Sequence, residues 1–97
     1  MRYLVIYDIT DDNLRSLVAE TLKDYGLHRV QYSAFLGNLK RNELNSLMTD
    51  LRKLIGDAVE NVQLYPLCET CFRGYRMVGK PKKYEVEERK EPKAAYF

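Results

Sequence analysis

The sequence predicts an α+β chain, and three observations predict it. A short N-terminal run is rich in aromatic and β-branched residues, which favour strands. Two later stretches repeat apolar residues at helical spacing. Strand-like and helix-like segments alternate in the split order βαββαβ, the order of a ferredoxin-like sandwich with two helices on one sheet face. At 97 residues the chain suits one domain. Its core is modest, so association is a further source of stability.

The first strand reads Tyr3-Leu4-Val5-Ile6-Tyr7-Asp8-Ile9. It is apolar on both faces, as expected of a central strand covered on at least one side and near a dimer contact on the other. Alternation puts Asp8 with Leu4 and Ile6 and groups Tyr3, Val5, Tyr7 and Ile9 on the other face. We expect the latter four to form the face left open by the helices and covered by a second copy. Thr10-Asp11-Asp12 offers helix-capping side chains, and Leu14, Leu17, Val18, Leu22 and Tyr25 form one stripe. The predicted helix spans 12–25 and ends at Gly26 in a left-handed cap.

Residues 28–39 form either one bent strand or two short ones around a tight link. A regular extended chain places Arg29, Gln31, Ser33 and Phe35 on one face and Val30, Tyr32, Ala34 and Leu36 on the other. Gly37-Asn38 is the expected bend or bulge. Leu44, Leu47, Met48, Leu51, Leu54 and Ile55 make the second helix, starting near 42 or 40 and stopping at Gly56. Val62, Leu64 and Tyr65 mark a strand that Pro66 limits or confines to a sheet edge. Phe72–Val78 reads as one more short strand. A domain over 1–79 is then followed by a charged tail over 80–97, extended as a strand or coil and available for dimer or partner contact.

Charge excludes little. The net charge is +2; residues 1–79 carry 10 basic and 10 acidic side chains, whereas 80–97 carry 6 and 4. The best sequence-local basic cluster is Arg73, Arg76, Lys80, Lys82 and Lys83, able to touch a nucleic-acid backbone without reading sequence. With Glu85, Glu87 and Glu88 beside it, the same stretch also reads as a solvated or partner-docking terminus. Nothing resembles a signal peptide or a membrane span, so we expect a cytoplasmic protein with no membrane partner. Cys68 and Cys71 form a CxxC without the further ligands that zinc requires. Redox CxxC motifs usually begin a helix, and this one follows a strand and Pro66, so both cysteines read as small buried or loop residues. The eight tyrosines suit packing better than base stacking.

Three segments in order, YLVIYDIT followed by Arg15, then GLHRVQYSAFLGNL, and later NVQLYPLCETC, closely resemble the Cas2 family of CRISPR-associated proteins over roughly residues 2–78. The resemblance implies a ferredoxin-like symmetric homodimer held between dimers of a Cas1-type integrase during spacer acquisition, where it binds double-stranded DNA. It also implies an alternative activity, metal-dependent endonuclease cleavage of single-stranded RNA or double-stranded DNA. In that reading Asp8 is the catalytic metal ligand, for Mg²⁺ or Mn²⁺, and two Asp8 residues meet across the two-fold axis. A hard cation takes carboxylate oxygens, though Asp8 could instead only organise the strand-to-helix turn. Arg15, Arg29, Ser33 and Phe35 become site candidates, with Tyr7 and Gln31 beside them. Arginine can grip a phosphate through two parallel hydrogen bonds, and Ser33 can donate to a phosphate or orient a water. The ordinary alternatives are a surface arginine, a polar cross-strand pair and a buried phenylalanine.

Overall fold

A computed structural model of the protein describes residues 1–84. The elements are β1 (Arg2–Asp8), α1 (Asp12–Asp24), β2 (His28–Gln31), β3 (Ala34–Asn38), α2 (Arg41–Ile55), β4 (Asn61–Leu67) and a short α3 (Glu69–Arg73). This is the βαββαβ order of the ferredoxin-like class. The sheet runs β2-β3-β1-β4, with every neighbouring pair antiparallel. No helix among the described residues is long and apolar enough to cross a membrane.

The core lies between the helices and one sheet face. Val5, Tyr7 and Ile9 meet Val18, Ala19 and Leu22 of α1, Leu47 and Leu51 of α2, and Phe35 of β3, all buried. This corrects the expected facing of β1. Tyr3, Val5, Tyr7 and Ile9 point at the helices, and Leu4, Ile6 and Asp8 point to the open face. The apolar run Tyr3–Tyr7 gives alternation no contrast from which to choose its inner face; the polar residues at the two ends of β1, Arg2 and Asp8, both fall on the outer face. Residues directly opposite one another share a face, so Leu36 and Tyr65 join Leu4 on the open side, opposite it on either flank.

Local chemistry sets the boundaries. Asp11 caps α1 by accepting the Leu14 amide at 2.7 Å. Gly26, at φ +85°, turns the chain out after the helix in the left-handed region, as the sequence predicts. In α2, Glu43 accepts the Lys40 amide at 2.7 Å, which places the start between the two expected positions. Residues 28–39 resolve into two strands linked by Tyr32-Ser33, and Gly37-Asn38 is not the expected bend or bulge. Gly37 sits in regular register opposite Tyr3. Its role is close approach, because a Cβ there would lie 2.5 Å from Cδ2 of Leu27. The irregularity falls instead between Arg29 and Gln31.

β4 is an edge strand with Pro66 inside it, opposite Tyr3, as an edge position allows. The further strand expected over 72–78 is absent from the described residues. Phe72 and Arg73 close α3, and the Phe72 amide donates to the Cys68 carbonyl at 2.9 Å. The turn is anchored from outside: the Arg2 guanidinium lies 3.9 Å from the centre of the Phe72 ring and 3.1 Å from Glu69. Of the 80–97 tail, residues 85–97, including Glu85, Glu87 and Glu88, lie outside the described residues.

Candidate functional site

Tyr7 organises the first part of the site. Its backbone amide donates to the Ser33 carbonyl at 3.0 Å, and its phenol donates to the Tyr32 carbonyl at 3.2 Å. The two bonds pin the β2–β3 turn against the end of β1. Beside that turn is a cleft of about 310 Å³ lined by Tyr7, Arg15, Ser16, Ala19, Arg29, Tyr32 and Ser33. Four residues singled out in the sequence, Tyr7, Arg15, Arg29 and Ser33, therefore do meet. Ser33 reaches the cleft from the turn, not from the strand face expected for it.

Arg15 has a second task. Its guanidinium donates to the carbonyls of Ile9 and Thr10, at 3.1 and 3.3 Å, and pairs with Asp12. On the other side of the same turn, Glu60 accepts the Thr10 amide at 3.1 and 3.2 Å and the Asp11 amide at 3.4 Å. The turn that follows Asp8 is thus held through its carbonyls by a cation and through its amides by an anion. Charge-assisted bonds of this kind are the stronger ones. Glu60 was not visible as a site residue in the sequence. It stands some fifty positions from its partners, and no local pattern marks it.

Asp8 is exposed at the end of β1, opposite Asn61, on the open sheet face. The arginine cleft draws on Tyr7 and Ala19 and so lies on the helix side. One protomer therefore does not bring Asp8 into that cleft. Among the described residues no three His, Cys, Asp or Glu side chains gather as a metal site. The exposed carboxylate supplies the hard oxygen donors that Mg²⁺ or Mn²⁺ prefers, as one ligand per chain.

A second groove, of about 550 Å³, lies between β2 and the segment 75–84. Arg29, Gln31, Lys80, Lys82 and Tyr84 are among its lining residues. The Tyr84 phenol donates to Gln31 at 3.3 Å, and the Tyr84 and Tyr32 rings meet edge to face at 5.0 Å. Arg29 lines both the cleft and the groove. Lys83 is exposed next to them. The remaining basic candidates stand on or just after α3: Arg73 faces Glu69 at 3.7 Å, and Arg76 donates to the Arg73 and Tyr75 carbonyls. Phe35 is wholly buried, with its ring 6.2 Å from that of Tyr7 and 5.0 Å from the Arg29 guanidinium. It supports the floor beneath Arg29 and does not open on the cleft.

The cysteines depart from their sequence reading. Both are exposed, and Cys68 caps a helical turn, its Sγ accepting the Cys71 amide at 3.3 Å. That amide and the Cys71 thiol hold the Cys68 thiol below its ordinary pKa, while donation to Cys68 and the charge there push Cys71 up.

The chain is similar in sequence and fold to known proteins. The family model described as "CRISPR associated protein Cas2" matches residues 1–74. A protein from Korarchaeum cryptofilum named CRISPR-associated endoribonuclease Cas2 is 38% identical over 82 residues, covering 84% of this chain and 88% of that protein. An Archaeoglobus fulgidus protein named CRISPR-associated endoribonuclease Cas2 1 is 42% identical over 71 residues, covering 73% and 76%. Among solved structures, Streptococcus pyogenes Cas2 superposes with a TM-score of 0.70 at 26% identity, covering 81% of this chain and 100% of that one. A Thermus thermophilus protein, TT1823, gives 0.71 at 32% identity, covering 84% and 94%.

Proposed function

Because the chain belongs to the Cas2 family of CRISPR-associated proteins, we propose that it works in spacer acquisition as a dimeric, double-stranded-DNA-binding adaptor between Cas1-type integrase dimers. The observation that carries this reading is the position of Arg29. It is common to the Arg15–Ser33 cleft and to the groove carrying Lys80 and Lys82. Cations arranged around two adjoining clefts suit successive phosphates, and contacts of that kind position a duplex without reading its sequence. The dimer would use the open sheet face. There Ile6 and Tyr65 leave 38% and 45% of their surface exposed in the protomer, and Leu4 and Leu36 stand beside them.

Binding to duplex DNA at several salt concentrations tests the adaptor reading. Arg29→Ala and the pair Lys80→Ala with Lys82→Ala are expected to weaken binding for all sequences alike. Each lost phosphate contact should lower the salt slope by about one. Unchanged affinity and slope in both variants would contradict the reading.

A second reading rests on Asp8. An exposed carboxylate at the strand end, on the face proposed to pair, would approach its two-fold mate in the dimer. Two carboxylates would then share a cation that one holds weakly. Bound Mg²⁺ or Mn²⁺ would polarise a phosphoryl oxygen and make a coordinated water more acidic. Asp8 would hold the ion and Glu60 and Arg15 would fix the turn behind it, while Ser33 and Arg29, in the helix-side cleft, would hold the single-stranded RNA or duplex DNA at a phosphate away from the ion. The relatives' names describe those proteins as endoribonucleases, which supports the RNA-cleaving part of this reading. Metal-dependent cleavage by the wild-type dimer that is lost in Asp8→Ala is the expected result on this reading. Equal cleavage by both proteins, or none by either, would remove it.

A further inference from the structure

Cys68 and Cys71 have no part in DNA binding or in phosphodiester chemistry as proposed above. Both thiols are free and exposed. They stand three residues apart, Cys68 as the cap of α3 and Cys71 within it, and the Cys68 sulfur lies 3.3 Å from the Cys71 backbone nitrogen, so the two side chains are neighbours at the start of one short turn. Their environments differ. Cys68 Sγ accepts the Cys71 amide at 3.3 Å, and the Cys71 thiol donates to the same sulfur. Donation to Cys68 and the charge there push the Cys71 thiol above its ordinary pKa. The asymmetry comes from these two local hydrogen bonds. The turn itself is fixed from outside by Arg2, through Glu69 and the Phe72 ring.

We infer that Cys68 and Cys71 form a reactive dithiol site that undergoes thiol–disulfide exchange with low-molecular-weight disulfides, with Cys68 as the attacking and Cys71 as the resolving sulfur. In the first step the Cys68 thiolate attacks one sulfur of an external disulfide. A mixed disulfide forms, the external S–S bond breaks, and one thiolate leaves. In the second step Cys71 loses its proton to solvent and attacks Cys68 Sγ. The Cys68–Cys71 bond forms and the second external thiolate leaves. The protein is oxidised by two electrons, and one external disulfide is reduced to two thiols. The nucleophile is the sulfur whose thiolate is stabilised, as exchange chemistry requires.

Oxidised and reduced glutathione, mixed at several ratios with the full-length chain and followed by mass spectrometry, test the site. In the wild type an internal Cys68–Cys71 disulfide is expected, with the loss of two hydrogens and no retained glutathione. Cys71→Ser should instead accumulate the glutathione mixed disulfide at Cys68. Cys68→Ser should acquire glutathione at Cys71 several-fold more slowly at neutral pH. In the unmodified protein, site-resolved alkylation should label Cys68 several-fold faster than Cys71, a comparison that requires no variant to fold. Equal labelling of the two cysteines, or two free thiols at every glutathione ratio, would overturn the inference.

Discussion

Tyr25 shows how a single side chain ties the two helices together. Standing just past the end of α1, it donates its phenol to Asp50 of α2 at 2.7 Å. The bond needs the phenol protonated, and it raises the Tyr25 pKa above the ordinary tyrosine value, with burial and the Asp50 charge adding to the effect. A folded-state pKa above the unfolded one means that the contribution is complete below the ordinary tyrosine value. It is lost as pH rises through the raised folded value. Unfolding midpoints measured from neutral to strongly alkaline pH should therefore fall more steeply in wild type than in Tyr25→Phe at the alkaline end. Parallel profiles would refute the link. Phe35 belongs to the same scale. Truncation to alanine should cost about 3–5 kcal/mol by denaturant unfolding, the range for a fully buried aromatic. Any loss of nucleic-acid binding in that variant should track the loss of folded protein.

Between residues and fold, the β1–α1 turn is the element on which the Asp8 reading depends. Glu60 and Arg15 hold it from its two polar sides. Glu60→Ala should speed amide exchange at Thr10 and Asp11 while leaving the β1–β3 ladder protected, and Glu60→Gln should restore part of that protection. Unchanged exchange at those two amides would show that the clamp is not what orders the turn. This element also shows the limits of the sequence. Asp11 as a cap and Gly26 as a terminator were legible, because capping and positive φ are local demands on a residue type. Ser33 in a turn and Glu60 across the fold were not, because their positions are set by pairing between distant segments. The inner face of β1 failed for another reason: both of its faces are apolar, and only packing against α1 and α2 distinguishes them. The CxxC was misread because the short turn after β4 is held by Arg2 from the far end of the chain.

At the scale of the molecule, four antiparallel strands put all the helical cover of the core on one side and leave Leu4, Ile6, Leu36 and Tyr65 on the other. If that face pairs with a second copy, Ile6→Lys should yield monomers by light scattering, with the helical content of the protomer retained; a dimer of wild-type affinity would place the contact elsewhere. The adaptor and nuclease readings share this dimer and part at its chemistry, cations around two clefts in one case and a carboxylate at a strand end in the other. The measurement that separates them most directly is spacer integration in vitro, with the Cas1-type integrase of the same system and with dimeric wild type, Asp8→Ala, and the triple change Arg29→Ala, Lys80→Ala and Lys82→Ala. The account predicts integration by Asp8→Ala at the wild-type level and its loss in the triple variant. Loss in Asp8→Ala with integration intact in the triple variant would contradict it.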